Sequence, residues 1–266
     1  MSDTKSPKWY DSVWLGRYFA AQDILRREAP DRLEEFEQAM RVFRCPADYR
    51  VKVARGLFDD ERLGQVKEII RSIPRDVYWL DEVQQFGRLV VRDWPQFHAL
   101  QETLVDVVSE MAGEPVEPSA NFLSLYTHRG VCEPHLDAPS AKWTLDLCID
   151  QSEPWPIHFS QIVDWPGPEF DPGEDWREEI KQDPALRFRS EVLMPGDALL
   201  FTGPNQWHYR DAISLAGGKP HCDLLFLHFV PVGTTELAQP ENWARIFDLP
   251  QLGSLGIPPR VRLNRL

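Results

Sequence analysis

The stretch YTHRGVCEPHLDAPSAKWTLDLCID (Tyr126–Asp150) sets His135 and Asp137 two residues apart, between an aromatic entry and an apolar run. Side chains alternate faces along a strand, so groups at i and i+2 near a strand end point into the same space. A polar turn has no need of that pairing. An open iron or zinc site does, and it needs one more protein ligand while leaving other coordination positions free.

The third ligand is sought downstream. In MPGDALLFTGPNQWHYRDAI (194–213), a Pro-Gly-Asp turn and an apolar strand lead through a short Gly-Pro-Asn turn to His208. Closing a barrel brings such a late strand back beside an early one. Two histidines and one carboxylate form the set used by non-haem Fe(II) oxygenases. His-x-Asp alone arises often by chance, and a lone late histidine is more often a surface or core residue. The joint pattern, placed in a β-rich region, carries more weight than its parts.

That region begins after Pro118. NFLSLYTH, KWTLDLCI, WPIHFSQIV, FRSEVL, DALLFTG, WHYRDAI and CDLLFLHFV are short β-type runs separated by Pro, Gly and Asp turns. So many short strands predict a sandwich or jelly roll. Residues 1–118 read as a mainly helical support region. Helical spacing runs over 18–43 with an interruption at Pro30, over 59–73 behind an acidic first turn, and over 97–113 up to Gly113. VKVARGLF (51–58) and GRLVVRDW (87–94) read as strands within it. Residues 163–187, rich in Pro, Asp, Glu and Trp, are too long for a hairpin turn and read as an insertion of lid type. Residues 234–266 form a C-terminal extension ending in the basic PPRVRLNRL. The expected fold class is α+β, one integrated domain built on residues 119–233.

On these residues the chain resembles the Fe(II)- and 2-oxoglutarate-dependent dioxygenases, in their prolyl-hydroxylase-like branch. The resemblance covers roughly 119–233 and implies a double-stranded β-helix core with His135, Asp137 and His208 on the metal, 71 residues separating Asp137 from His208. It implies that Tyr126, on the strand entering His-x-Asp, bonds the distal carboxylate of 2-oxoglutarate, a core aromatic being the alternative role. It also implies a basic partner for that carboxylate about ten residues past the second histidine. Lys219, eleven residues on, is the nearest match, with His221 on its face. Arg210, two residues past His208, is the rival. Lysine offers a point charge where the family more often has the fork of an arginine. With Asp137 present, no coordination position opens for halide, so the implied reaction is O₂-dependent hydroxylation of an unactivated C–H bond. A cupin-like metal-dependent binding or sensing module without turnover fits the same barrel. His158 and His228 sit in apolar runs and read as core, while His98 falls in a helix and His128 after a strand. Thr144 and Asp146 suit the pocket and the core equally.

Bulk properties narrow the partners. A net charge of −13 with pI near 5.0 disfavours phosphate backbones. The acidic loops (Glu153, Asp164, Glu169, Asp171, Glu174, Asp175) suit either plain solvation or attraction of a cationic substrate. Four scattered cysteines without a CxxC pair, and no long apolar run, lead to the expectation of a cytoplasmic protein acting on a small molecule or peptide. Its oligomeric state is not legible.

Overall fold

The protein is described from a computed structural model covering residues 7–10, 12–214 and 218–255. The basic C-terminal tail lies outside these residues. Ten strands occur among them: β1 (Lys52–Ala54), β2 (Arg88–Arg92), β3 (Val116–Tyr126), β4 (Cys132–His135), β5 (Trp143–Gln151), β6 (Ile157–Phe159), β7 (Arg189–Glu191), β8 (Ala198–Phe201), β9 (His208–Arg210) and β10 (Cys222–Pro231). They form an antiparallel six-stranded sheet in the order β1-β8-β5-β10-β3-β2 and a four-stranded sheet in the order β4-β9-β6-β7. From β3 to β10 the chain winds between the two sheets, with β3, β5, β8 and β10 in the larger and β4, β6, β7 and β9 in the smaller. This is a double-stranded β-helix, or jelly roll, within an α+β chain.

Period-two alternation shows why the larger sheet stands between two layers. Along β5, Trp143, Leu145 and Leu147 pack outward, while Cys148 joins the apolar filling between the sheets. The outward face is covered by α3 (Asp60–Ser72), α5 (Pro95–Glu102) and α6 (Val105–Ala112). Asp59 caps α3, its carboxylate accepting from Arg62 N at 2.8 Å. The helix expected over 97–113 is broken at Thr103–Leu104, where the Thr103 hydroxyl bonds back to the Leu100 carbonyl at 2.7 Å. Gly113 ends α6 in the left-handed region at φ 80°.

Another core joins the two ends of the chain. Trp14 and Tyr18 of α1 (Trp14–Glu28) and Phe36 of α2 (Leu33–Met40) pack with Trp243, Phe247 and Leu252. Trp14 Nε1 donates to the Ala238 carbonyl at 3.0 Å. Residues 1–118 thus do more than supply helical support, since β1 and β2 extend both edges of the large sheet. The short helix α4 (Val83–Phe86) leads into β2, and residues 160–188, which join β6 to β7, contain α7 (Trp176–Gln182). No helix among the described residues is long and apolar enough to cross a membrane.

Candidate metal centre and its cavity

The β4–β9 register places His135 directly opposite His208, their rings 4.1 Å apart between centroids. Asp137 stands two residues past the end of β4, with its carboxylate beside both rings. Its Oδ1 lies 3.3 Å from His135 Nε2 and its Oδ2 lies 3.6 Å from His208 Nε2. One ligand atom from each residue falls within 4.8 Å of the others, and this is the metal-ligand cluster found among the described residues.

Two backbone carbonyls fix both rings. His135 Nδ1 lies 2.7 Å from the Glu133 oxygen and His208 Nδ1 lies 2.9 Å from the Gln206 oxygen. A carbonyl only accepts, so each Nδ1 carries a hydrogen, and each Nε2 faces Asp137 as the atom left for a metal. Asp137 is held by its own N–H, which donates to the Gly203 carbonyl at 3.0 Å. A Cβ at position 203 would overlap Asp137 Oδ2 and stand 2.7 Å from the Asp137 Cβ. Glycine is therefore required there by the carboxylate's position.

The electrostatics bind the three groups into one unit. Burial alone would raise the Asp137 carboxyl, but His208 and His135 hold it well below the usual carboxylate range. Burial, with His135 beside it, pushes His208 down to about 4. His135 goes the other way: against burial, Cys132 and Asp137 raise it well above the usual histidine value. Of the three, His135 alone is favoured in its protonated form, with its Nε2 beside the Asp137 carboxylate, and a divalent cation there would take the place of that proton. The donor set of two imidazole nitrogens and a carboxylate fits Fe(II), and other first-row divalent ions compete for such a set.

The cluster opens into a cavity of about 560 Å³, within the size range of small-molecule sites. Tyr126, Arg210, Thr144 and His228 line it, together with Arg88, Arg92 and Glu82. His228, expected as core, instead faces the cavity, its Nδ1 2.9 Å from the Thr144 hydroxyl. Asp146 pairs with Arg210 at 2.8 Å, and burial pushes its carboxyl upward against the pull of that arginine. His158 stacks on Tyr209, and His98 lies 3.9 Å from Asp93.

Lys219 does not reach the cavity. It lies exposed on the turn before β10, and the cavity-facing residues at that end of the sheet come from β2, β3 and β9 instead. Spacing from the second histidine sets the length of the loop, not the direction of a side chain at its tip. Sequence reasoning passes over Arg88, Arg92, Glu82 and Gly203. One signal is there to be used: Arg88 and Arg92 share a face of a strand that is otherwise apolar. Of the insertion, Trp176 lines the cavity, whereas Asp164, Glu169, Asp171, Glu174 and Asp175 are exposed outside it.

No protein-family model matches the chain, and no curated protein matches it in sequence. Solved structures do match. HygX from Streptomyces hygroscopicus, with nickel and 2-oxoglutarate bound, aligns at TM-score 0.52 and 13% identity over 69% of this chain and 83% of HygX. The same protein with hygromycin B also bound aligns at 0.51 and 13% identity over 69% and 83%. AviO1 from Streptomyces viridochromogenes Tue57 aligns at 0.51 and 14% identity, covering 73% of this chain and 94% of AviO1. The shared fold is thus that of proteins that include a binder of nickel and 2-oxoglutarate.

Proposed function

We propose that this protein is a non-haem Fe(II)- and 2-oxoglutarate-dependent oxygenase that hydroxylates an unactivated C–H bond of an amino acid, peptide or natural product. One observation carries the reading: His135, Asp137 and His208 converge with their ligand atoms turned to a common point on the wall of a jelly-roll cavity. Iron held there would supply the oxidising chemistry that couples 2-oxoglutarate and O₂ to the insertion of one oxygen atom into the substrate, with succinate and CO₂ as co-products. The chain's own part is positional. His135 and His208 would hold the metal by Nε2, each ring fixed from behind by a backbone carbonyl. Asp137 closes the third position, and Gly203 keeps it there.

Tyr126 offers its hydroxyl to the distal carboxylate of 2-oxoglutarate. Arg210 belongs to the fixed wall, being held by Asp146 and by the Trp155 carbonyl. Phe122, Phe201 and Phe226 make that wall apolar, which excludes water and limits side reactions. Trp176 brings the 163–187 insertion to the same cavity, as a lid would require.

The test is succinate formation from 2-oxoglutarate by the Fe(II)-loaded protein in air, followed by mass spectrometry of metabolite and peptide pools for the gain of one oxygen. Metal-dependent succinate with an oxygenated product supports the reading. Tight metal binding with no succinate under any pool would reduce the protein to a metal-dependent binding module.

A further inference from the structure

Two buried ion clusters face the cavity, and their charge balances differ. Arg210, its side chain 3% exposed, is paired with Asp146 at 0%. Its Nη2 donates to Asp146 Oδ2 at 2.8 Å and its Nη1 to the Trp155 carbonyl, with the guanidinium 5.1 Å from the Trp155 ring centroid. One cation meets one anion, so this pair carries no excess charge.

On β2 and the segment before it the balance is different. Glu82 sits between two arginines: its Oε2 accepts from Arg88 Nε at 2.6 Å and its Oε1 from Arg92 Nη2 at 2.8 Å. Burial alone would raise the Glu82 carboxyl, but Arg88 and Arg92 hold it below its ordinary value, so it is ionised. Two guanidiniums and one carboxylate leave one positive charge. All three side chains are largely buried, at 14%, 21% and 16% exposure for Arg88, Arg92 and Glu82. Arg92 Nε is buried without a hydrogen-bond partner. An excess charge so enclosed is costly unless an anion joins it.

The surroundings say which kind of anion. Arg88 pairs in register with Tyr126, and its Nη1 donates to the Tyr126 hydroxyl at 2.6 Å. A hydroxyl that accepts from Arg88 still has its own proton to donate. Arg88 uses one hydrogen each on Nε, Nη1 and Nη2 for Tyr126 and Glu82, which leaves two N–H groups of its five. A planar fork beside a phenol suits a carboxylate.

We propose that Arg88, set by Glu82 and backed by Arg92, holds with Tyr126 the distal carboxylate of a 2-oxo dicarboxylic acid whose other end chelates the metal. The assignment rests on the proposed function and moves the carboxylate's cation off the last core strand, onto a strand outside the jelly roll. Glu82 is a positioning residue, and it fixes the plane of the Arg88 guanidinium.

The experiment is an anaerobic titration of the Fe(II)-loaded protein with 2-oxoglutarate and with 2-oxobutyrate, which keeps the chelating end but lacks the distal carboxylate. Wild type should prefer 2-oxoglutarate. R88Q should bind 2-oxoglutarate about 10- to 100-fold more weakly, the range for losing a charge-assisted bond, and bind 2-oxobutyrate as before. R92Q removes the excess charge but keeps the Tyr126 contact, so it should lose part of the preference and serves if R88Q does not fold. Metal stoichiometry and thermal melting check each variant. Wild-type preference retained in both R88Q and R92Q overturns the assignment, as does loss of preference in the charge-balanced R210Q/D146N pair alone. A wild type that binds the two acids equally overturns the assignment and spares the oxygenase reading. A wild type that binds neither overturns both.

Discussion

The two sheets of the jelly roll do different work with different means. In the large sheet β10 pairs with β3 from Cys222 to Pro231 and with β5 from Cys222 to Phe229, two long ladders on a strand buried almost throughout. In the small sheet β4 meets β9 at only two register positions, and β6 meets β9 at two more. Yet the proposed metal ligands lie on the small sheet and its turns. Their geometry is held by bonds outside the ladders. Leu136 N donates to the Trp9 carbonyl at 3.1 Å, Asp137 N to Gly203 at 3.0 Å, and Trp207 N to the Ser160 hydroxyl at 3.0 Å. Trp9 then packs on Trp207 with ring centroids 5.4 Å apart. The long sheet supplies stability, and the short sheet, tied from outside, supplies position. Substitutions in the two sheets should therefore separate stability from metal binding.

The largest effect is expected on the short sheet. His208→Ala removes one of the three proposed ligands, and metal affinity should fall by more than the 10- to 100-fold typical of changes to a ligand's outer partners. Equilibrium dialysis with Fe(II) or Co(II) measures it, and the melting curve of the metal-free protein should stay close to wild type. Unchanged metal stoichiometry would remove His208 from the site.

The long sheet should behave in reverse. Leu225 is fully buried in the core behind β10. Leu225→Ala should cost about 2–5 kcal/mol of stability through lost transfer energy and a residual cavity. Denaturant titration gives that value, while metal bound per folded molecule stays the same. A variant that lost metal in proportion to stability would show that the two sheets are not separable.

Gly203→Ala sharpens the contrast further, because it touches a turn and not a ligand. The added methyl would displace Asp137, so metal affinity should drop roughly 10- to 100-fold with little change in melting of the metal-free protein. Competition against a chelator resolves that range. An alanine variant with wild-type affinity would mean that Asp137 can swing without loss.

Much of this division is legible in the amino-acid sequence. His135, Asp137 and His208 can be singled out because strand and turn residues are local signals: WTLDLCIDQ alternates after Asp137, and an apolar strand with a Gly-Pro-Asn turn precedes His208. The strand that carries His135 is less visible: CEPH contains Pro134 and has no alternating pattern, and its pairing comes from β9, far along the chain. The cavity's charged wall is hidden for a related reason. Arg88 and Glu82 are six residues apart, but their common destination beside Tyr126 depends on β2 joining β3, a long-range pairing. Residues that face the cavity from outside the jelly roll are set by tertiary packing, which no local spacing encodes. The contribution of Gly203 is of the same kind, since the clash it avoids is with Asp137, brought to it by the fold.

The smallest effect should come from the lysine that spacing favours. Lys219 stands eleven residues past His208, in the interval where a basic anchor is expected, but its side chain is exposed and does not line the cavity. Its ammonium is solvated, and a charge in water is screened beyond about 10 Å at 0.1 M salt. Substituting it removes neither a buried contact nor a charge enclosed with the ligand, and exposed positions of this kind usually shift stability by no more than about 0.5 kcal/mol. Lys219→Ala should therefore leave 2-oxoglutarate affinity, metal affinity and melting temperature at their wild-type values, while R88Q in the same titration does not. Equal losses in the two variants would mean that the loop before β10 folds inward when the co-substrate binds, and the comparison between a solvated cation and an enclosed one would then fail at its simplest point.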